Sequence, residues 1–580
     1  MTICKDVVYL SRVVILIFIF GLNINPALSQ LEESGSPDDI RSGGVSRPST
    51  LPLAAPTPGE RPSSPIDIKL KEKKSVEKKE TYGANFYLKE IKITGNTAFS
   101  VDELKKITSP YEGRFIYNSE LEDVRIALTR KYIDRGYINS GAVIPDHKVL
   151  NGVVHIKIIE GELTDIEIVG NKHIDSNFIK ERLKVGAATP LNVNDLQEQI
   201  QILLESPSIE TINSALRPGD NRGEANLTAL VKEGPRFQLK PVIDNRISPS
   251  LGNTRKLLPM QINNLTGMTD TLNLSIGKSD GLDDANLNWN FPTIEETSLT
   301  ILASYSDSKV VKGSFKELNV VNKAQTVGFR VNHPFYRTAK KKFSMSLGLD
   351  SRENNSGLLG VGFSFTAGVP SDGKVKETVI RFSQDWTERG LTDVIAARSV
   401  FSHGIDALDA TINEDNLPSG EFFAWLGQFQ WAKLLGGDRG QLIFRTNVQY
   451  TNDPLFGMEQ FSIGGALSVR GYLENKIVRD RGYDISLEYR SPLMKDASGR
   501  SILTLAPFVD AGGSSNTKQS DGSDPNFIYS AGFGIRWNPI KEVHAQIYWG
   551  HPFVDVVNSS ESLQDDGFHF LINADLTEWF

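Results

Sequence analysis

The chain is predicted to be mainly β: a transmembrane antiparallel β-barrel of about 16 strands, preceded by two small modules of β-α-α-β-β order. Three observations predict this. A strand-turn motif recurs 75 residues on, and its surroundings recur with it. From Phe237 onward, segments of about ten residues alternate apolar and polar side chains, with no helix-length amphipathic pattern between them. The apolar faces of those segments are rich in aromatics, while the opposite faces carry charges and amides.

Composition bounds the alternatives. With 580 residues the chain exceeds one ordinary domain, and its 49 glycines against six methionines favour a β-rich body. A mean hydropathy of −0.26 excludes a helical membrane protein. The net charge of −8 and the absence of a basic stripe with interleaved aromatics argue against nucleic acid as a partner. Cys4 is the only cysteine, so the rest of the chain has no thiol to mispair, which suits passage unfolded through an oxidising compartment.

The first element is read as a signal peptide over residues 1–29. Lys5 and Arg12 precede an apolar run, Val13 to Leu22, and Ala27-Leu28-Ser29 place small residues before a cut ahead of Gln30. That run is shorter than the roughly 20 residues a spanning helix needs. Residues 30–82 are rich in proline, serine and lysine, and bury too little apolar surface to fold alone, so they are read as an extended tether.

The modules follow. Ile91-Lys92-Ile93-Thr94-Gly95-Asn96 returns as Ile166-Glu167-Ile168-Val169-Gly170-Asn171. Each copy continues into a short helical pattern (Val101 to Ile107; Asn177 to Leu183) and then a longer one. In the first copy Leu121, Val124, Leu128 and Tyr132 share a face, and in the second Leu196, Ile200 and Leu203 do so. Two alternating strands close each copy, with Val154, Ile156 and Ile158 following an Asn151-Gly152 hairpin signal.

This repeat resembles the POTRA domain of the Omp85 superfamily. Tyr132, Gly136-Tyr137, Ser140, Pro145, Gly152 and Glu160-Gly161 resemble the first POTRA signature of two-partner-secretion transporters, the haemolysin-activator family. Leu203-Leu204, Pro207, Leu216, Pro218-Gly219 and Gly223 are similar to their second module. The resemblance sets the expected division: module 1 at 83–161, module 2 at 162–236 and the barrel at 237–580. An edge strand of such a module has unpaired backbone groups, so it accepts an extended client by β-augmentation whatever the client's side chains.

In the barrel region Phe423, Trp425, Phe429 and Trp431 fall opposite Gln428 and Gln430, and Leu442, Phe444, Val448 and Tyr450 opposite Arg445, Asn447 and Gln449. Ala531, Phe533, Ile535 and Trp537 oppose Arg536, while Val543, Ala545, Ile547 and Trp549 oppose His544 and Gln546. A soluble sandwich also alternates, but its inward faces would be dry. The alternating strand from Phe568 to Leu576 and the aromatic Phe580 resemble the assembly signal of outer-membrane barrels.

Three motifs resemble those of the superfamily: Val469-Arg470-Gly471-Tyr472 as the tip of a loop folded into the lumen, Phe508-Val509-Asp510-Ala511-Gly512 as the F-x-D-x-G strand, and Ser486-Leu487-Glu488-Tyr489 as a third. Strand parity sets Asp510 opposite Leu503, Leu505 and Val509, and Glu488 opposite Ile485, Leu487 and Tyr489, so both carboxylates point inward. The expectation is a charge clamp in which Asp510, with Glu488 nearby, holds the Arg470 guanidinium bidentately. Phe508 and Gly512 accompany them. Asp244-Asn245, Gly252 and Asn264-Leu265-Thr266-Gly267 are similar to the family's first barrel hairpin and are read as strand and turn chemistry.

Enzyme signals fail. Gly277-Lys278-Ser279 ends like a phosphate-binding loop, but Leu272 stands where a glycine is needed. H-E-x-x-H does not occur, and no catalytic residue, metal or cofactor is expected. The resemblance implies a monomeric translocator in the outer membrane of a diderm bacterium, surrounded by outer-membrane lipid. It would capture an unfolded secreted client, a large β-helical adhesin or haemolysin, and pass it to the surface. The alternative is an Omp85-type insertase that assembles other barrels, disfavoured by two modules where insertases carry more. Relatives often plug the pore with an N-terminal helix; here only the stretch around Ile68 to Lys79 allows one.

Overall fold

The computed structural model describes residues 67–68 and 85–579, apart from 146–150, 294–295, 313–315, 415, 437–439, 519–523 and 557–561. The signal peptide, most of the tether and Phe580 lie outside the described residues. The chain divides into two units, one holding both modules and one holding the barrel.

In module 1, β2 (Asn85–Leu88) and β3 (Glu90–Thr94) precede α1 (Val101–Thr108), β4 (Arg114–Tyr117), α2 (Asn118–Ile133), β5 (Gly141–Val143) and β6 (Val153–Ile159). Helix α1 starts at a capping box, with Ser100 accepting from the Glu103 amide and Glu103 reaching back to Ser100. On α2 the residues predicted to share a face, Leu121, Val124, Leu128 and Tyr132, are the buried ones. They pack on Ile91, Val154, Ile156 and Ile158 of the three-stranded sheet β3-β6-β5. Strand β4, between the helices, pairs with β2 and was not anticipated; its four residues are too short for a readable alternation.

Module 2 has the expected order: β7 (Glu162–Val169), α3 (Ser176–Val185), α4 (Val193–Leu203), β8 (Ile209–Pro218) and β9 (Glu224–Glu233). In both modules the last strand is central, parallel to the first and antiparallel to the middle one. A two-residue strand from the tether, β1 (Asp67–Ile68), adds to this sheet in parallel with Ala215 and Leu216 of β8. Ile68, which the sequence left free to begin a helix, is therefore extended, because an open sheet edge offers its backbone a partner.

The second unit is one antiparallel ladder closed on itself. It begins with β10 (Phe237–Leu239) and β11 (Val242–Asp244), continues through β12 (Arg255–Asn263), β13 (Thr271–Lys278), β14 (Leu282–Pro292), β15 (Ser298–Lys309), β16 (Val321–Arg337) and β17 (Lys341–Leu358), and reaches the two-residue β18 (Val361–Gly362). Then come β19 (Lys374–Arg389), β20 (Asp393–Ile405), β21 (Phe422–Leu434) and β22 (Gln441–Thr451). A loop carrying the short β23 (Phe461–Ile463) and β24 (Ile477–Arg479) leads to β25 (Arg481–Lys495), β26 (Ser501–Ser515), β27 (Phe527–Trp537), β28 (Val543–Pro552) and β29 (Phe568–Ala574).

Both β10 and β11 pair with β12 and form one strand interrupted at Pro241, which has no amide to give the ladder. With β18 a short extension of the β17 hairpin, the barrel has 16 strands. It closes where β11 pairs with β29, Val242 opposite Asn573 and Asp244 opposite Leu571. Asn245 extends that seam with its side chain: Nδ2 donates to the Phe568 carbonyl at 2.9 Å and Oδ1 accepts the Phe570 amide at 2.8 Å.

Polarity is reversed relative to a soluble domain. Phe329, Phe423, Tyr450 and Trp537 are about half exposed on the outside, while Arg352, Arg381, Glu488 and Asp510 are nearly inaccessible within. Such a surface belongs in lipid around a polar interior, which excludes a sandwich.

Candidate functional site

The site is built by the loop between β22 and β25. Its strands β23 and β24 pair Phe461 with Arg479 and Ile463 with Ile477. Phe461, Ile463, Val469, Tyr472 and Ile477 then form an apolar cluster with Leu426 and Ile528 of the barrel wall, which fastens the loop inside. Consecutive glycines turn the chain at the tip, Gly464 at φ +104° and Gly465 at φ +103°. The Ser468 hydroxyl accepts the Gly464 amide at 2.9 Å, and Glu474 accepts the Ala466 amide at 2.7 Å.

This turn presents Arg470 to the inner faces of β25 and β26, which alternate as predicted: Asp484, Ser486 and Glu488 are buried on one strand, Phe508, Asp510 and Gly512 on the next. Asp510 accepts three bonds from Arg470, from the backbone amide at 3.0 Å, Nε at 2.8 Å and Nη2 at 2.9 Å. Nη1 donates to Glu488, and Nη2 also reaches the Ser486 hydroxyl at 3.1 Å. The guanidinium lies 3.6 Å from the Phe508 ring centre, a cation–π contact. Glu488 also accepts from Arg490 Nε at 2.6 Å and the Tyr548 hydroxyl at 3.2 Å. Two buried carboxylates thus hold the buried Arg470 guanidinium with several hydrogen bonds, and Glu488 extends the set to the partly exposed Arg490, the condition under which an internal ion network holds.

The flanking motif residues shape the approach. Val469 packs where a side chain on Gly512 would stand, since a Cβ there would come within 3.0 Å of it. Gly471 has φ +92°, and a Cβ on it would lie 2.7 Å from the Gly550 carbonyl oxygen, so this position needs glycine twice over. Its amide donates to His569 Nε2 at 3.3 Å. The Tyr472 hydroxyl donates to the Tyr529 carbonyl at 3.0 Å and accepts the Val554 amide at 3.1 Å.

The module signature residues lie elsewhere and are mainly turn chemistry. Gly136 takes φ +94° after α2, and its carbonyl accepts the Val193 amide at the start of α4 at 3.0 Å. Tyr137 packs edge-on against Phe99 and Tyr132. Ser140 accepts the Gly161 amide at 2.8 Å, Gly152 turns the β5–β6 hairpin at φ +75°, and Pro145 follows β5 at an exposed position.

One repeated device was only half visible in the sequence. Glu160 accepts the amides of Thr97 and Ala98 at 2.7 and 2.8 Å, the Tyr132 hydroxyl at 2.9 Å and the Thr97 hydroxyl. In module 2, Glu233 accepts the amides of Lys172, His173 and Ile174 at 2.7, 2.7 and 2.9 Å. Each carboxylate caps the loop after its module's first strand. Burial pushes both carboxyls up, but the donated bonds together outweigh it, holding Glu160 below its usual value and Glu233 down to about 2. The signal for Glu233 was present: Glu233-Gly234 repeats Glu160-Gly161.

Comparison with known proteins gives these features a context. Residues 223–537 match the family model "Haemolysin secretion/activation protein ShlB/FhaC/HecB", and residues 86–161 match "POTRA domain, ShlB-type". The heme/hemopexin transporter protein HuxB of Haemophilus influenzae is 22% identical, covering 74% of this chain and 76% of its own length. The outer membrane transporter CdiB of Escherichia coli is 25% identical, over 69% of this chain and 68% of its own. A solved structure of CdiB from Escherichia coli superposes with a TM-score of 0.67 at 22% identity, covering 88% of this chain and 94% of that one, which marks a shared fold.

Proposed function

The chain belongs to the haemolysin secretion/activation protein family, and we propose that it is the dedicated translocator of one secreted protein, which it captures unfolded in the periplasm and passes through its barrel. It is an outer-membrane β-barrel with periplasmic modules, and the relatives named above are transporters. We read residues 1–29, 30–82, 83–161, 162–236 and 237–580 as signal, tether, two receptor modules and conduit.

The observation that carries the reading is a closed 16-strand barrel whose lumen holds a loop fastened by reversible polar contacts rather than covalently. Arg470 with Asp510 and Glu488 is the clamp: a network of hydrogen bonds that is stable while complete and costly to break by halves. A conduit for polypeptide needs a seal of this kind. The modules supply the receiving end. The sheet of module 2 already accepts an added strand, since β1 pairs with β8, and its opposite edge, β7, pairs only with β9 among the described strands. A client held by backbone bonds at such an edge is recognised as extended chain rather than by sequence.

Outward folding of the client at the surface, rather than a nucleotide, drives the transfer. The client is a large β-helical adhesin or haemolysin, and the translocator works as a monomer in outer-membrane lipid. The competing reading, an insertase for other barrels, predicts a different phenotype. Deleting the gene should abolish surface appearance of one large secreted protein and leave the outer-membrane barrel profile unchanged. General loss of barrels with secretion intact would establish the insertase instead.

A further inference from the structure

A second set of buried charges lies on strands that carry none of the family's motifs. Arg352 on β17 and Arg381 on β19 both reach Glu459, on the limb of the lumen loop that descends from β22. Arg381 donates to Glu459 from Nη2 at 2.6 Å and Nη1 at 3.2 Å. Arg352 donates to the same carboxylate and, at 2.8 Å, to the Met458 carbonyl. Asp350 takes Arg381 Nε at 2.7 Å and Arg330 at 3.3 Å. The loop is therefore held twice, with opposite polarity: its tip offers a cation to acidic strands, and its limb offers an anion to basic ones.

One carboxylate in this set is idle. Glu377 on β19 stands directly opposite Arg352 in the strand register, and it shares its face of β19 with Arg381, four residues on. It is 1% exposed, and neither of its oxygens has a hydrogen-bond partner among the described residues. A buried carboxylate in that condition is costly where it stands. When Glu459 leaves, Arg352 and Arg381 lose a shared acceptor, and Glu377 is the carboxylate that stays beside them on the wall.

We propose that Glu459 is a second positioning residue of the loop and that Glu377 is its replacement: when the limb leaves the wall, Arg352 and Arg381 turn from Glu459 to Glu377. Release of the loop then exchanges one buried ion pair for another instead of leaving Arg352 without a carboxylate and Arg381 with Asp350 alone, which lowers the cost of opening. This rests on the translocator reading, in which the loop must clear the lumen.

The test reads the loop directly, without a client. Cys4 is the only cysteine, so Ser462→Cys in a Cys4→Ser background takes a spin label on β23, next to the limb, in full-length protein in outer-membrane lipid. Glu459→Gln should raise the ratio of mobile to immobile label by about tenfold, equivalent to about 1.4 kcal/mol. Glu377→Gln alone should leave the label immobile. Combining the two should lower the heat resistance of the folded barrel by more than the sum of the single changes, because neither of the two carboxylates the arginines can exchange between remains. If Glu459→Gln does not insert, Glu459→Asp keeps the charge but shortens the reach, and should show intermediate mobility. An immobile label in both Glu459 variants, or strictly additive losses of heat resistance, would overturn the proposal. Secretion of a partner is scored separately: its failure in the wild type counts against the translocator reading, while the label and heat measurements still decide the exchange.

Discussion

Asp510 accepts from the backbone and the side chain of the same arginine, so it fixes both where the loop tip lies and where the guanidinium points. Asp510→Asn keeps the shape but removes the charge and turns one acceptor into a donor facing Arg470. It should destabilise the closed loop by about 3–5 kcal/mol where the site is dry and less where water reaches it. Faster proteolysis of the loop in intact barrels is the measurement. A second residue-scale prediction concerns Glu160 and Glu233. Their carboxyls are depressed in the folded modules, so the stability they supply is full above the ordinary glutamate value of about 4.5 and declines as pH falls through the folded value, about 2 for Glu233. Glu233→Gln should lower the stability of module 2 at neutral pH by about 1–3 kcal/mol and flatten its acid unfolding, read by circular dichroism.

At the scale of elements, strand parity was legible because a period of two leaves no choice once one residue is known to face lipid. Leu503, Leu505 and Val509 thereby set Asp510 inward, and Ile485 and Leu487 did the same for Glu488. The repeat was legible for the same reason, since Ile91-Lys92-Ile93 and its copy carry a pattern as well as an identity. What sequence did not reveal was contact across the lumen. Nothing near Glu459 in the chain marks Arg352 or Arg381 as its partners, because closure of the barrel makes them neighbours. Asn245 was read as strand and turn chemistry, but its partner strand β29, to which its side chain extends the seam, was likewise not visible in the sequence. Asn245→Ala should leave two backbone groups of that strand unpaired and lower the temperature at which the barrel loses its compact form on electrophoresis. Gly471→Ala should displace the tip, because its Cβ has no room against Gly550.

For the whole molecule, two receptor modules and a sealed conduit divide the labour: the modules keep an extended client from folding, and the barrel gives it one way out. Removing residues 83–236 behind the signal should leave a barrel that inserts and closes but secretes nothing, checked by surface labelling against barrel abundance. On the proposed function, the Arg470 clamp serves passage of polypeptide rather than barrel stability alone. The most direct measurement compares surface appearance of the secreted partner in cells carrying the wild-type chain or Arg470→Ala at equal levels of folded barrel. Arg470→Ala should insert normally and leave the partner in the periplasm. Unchanged secretion at normal barrel levels would contradict it.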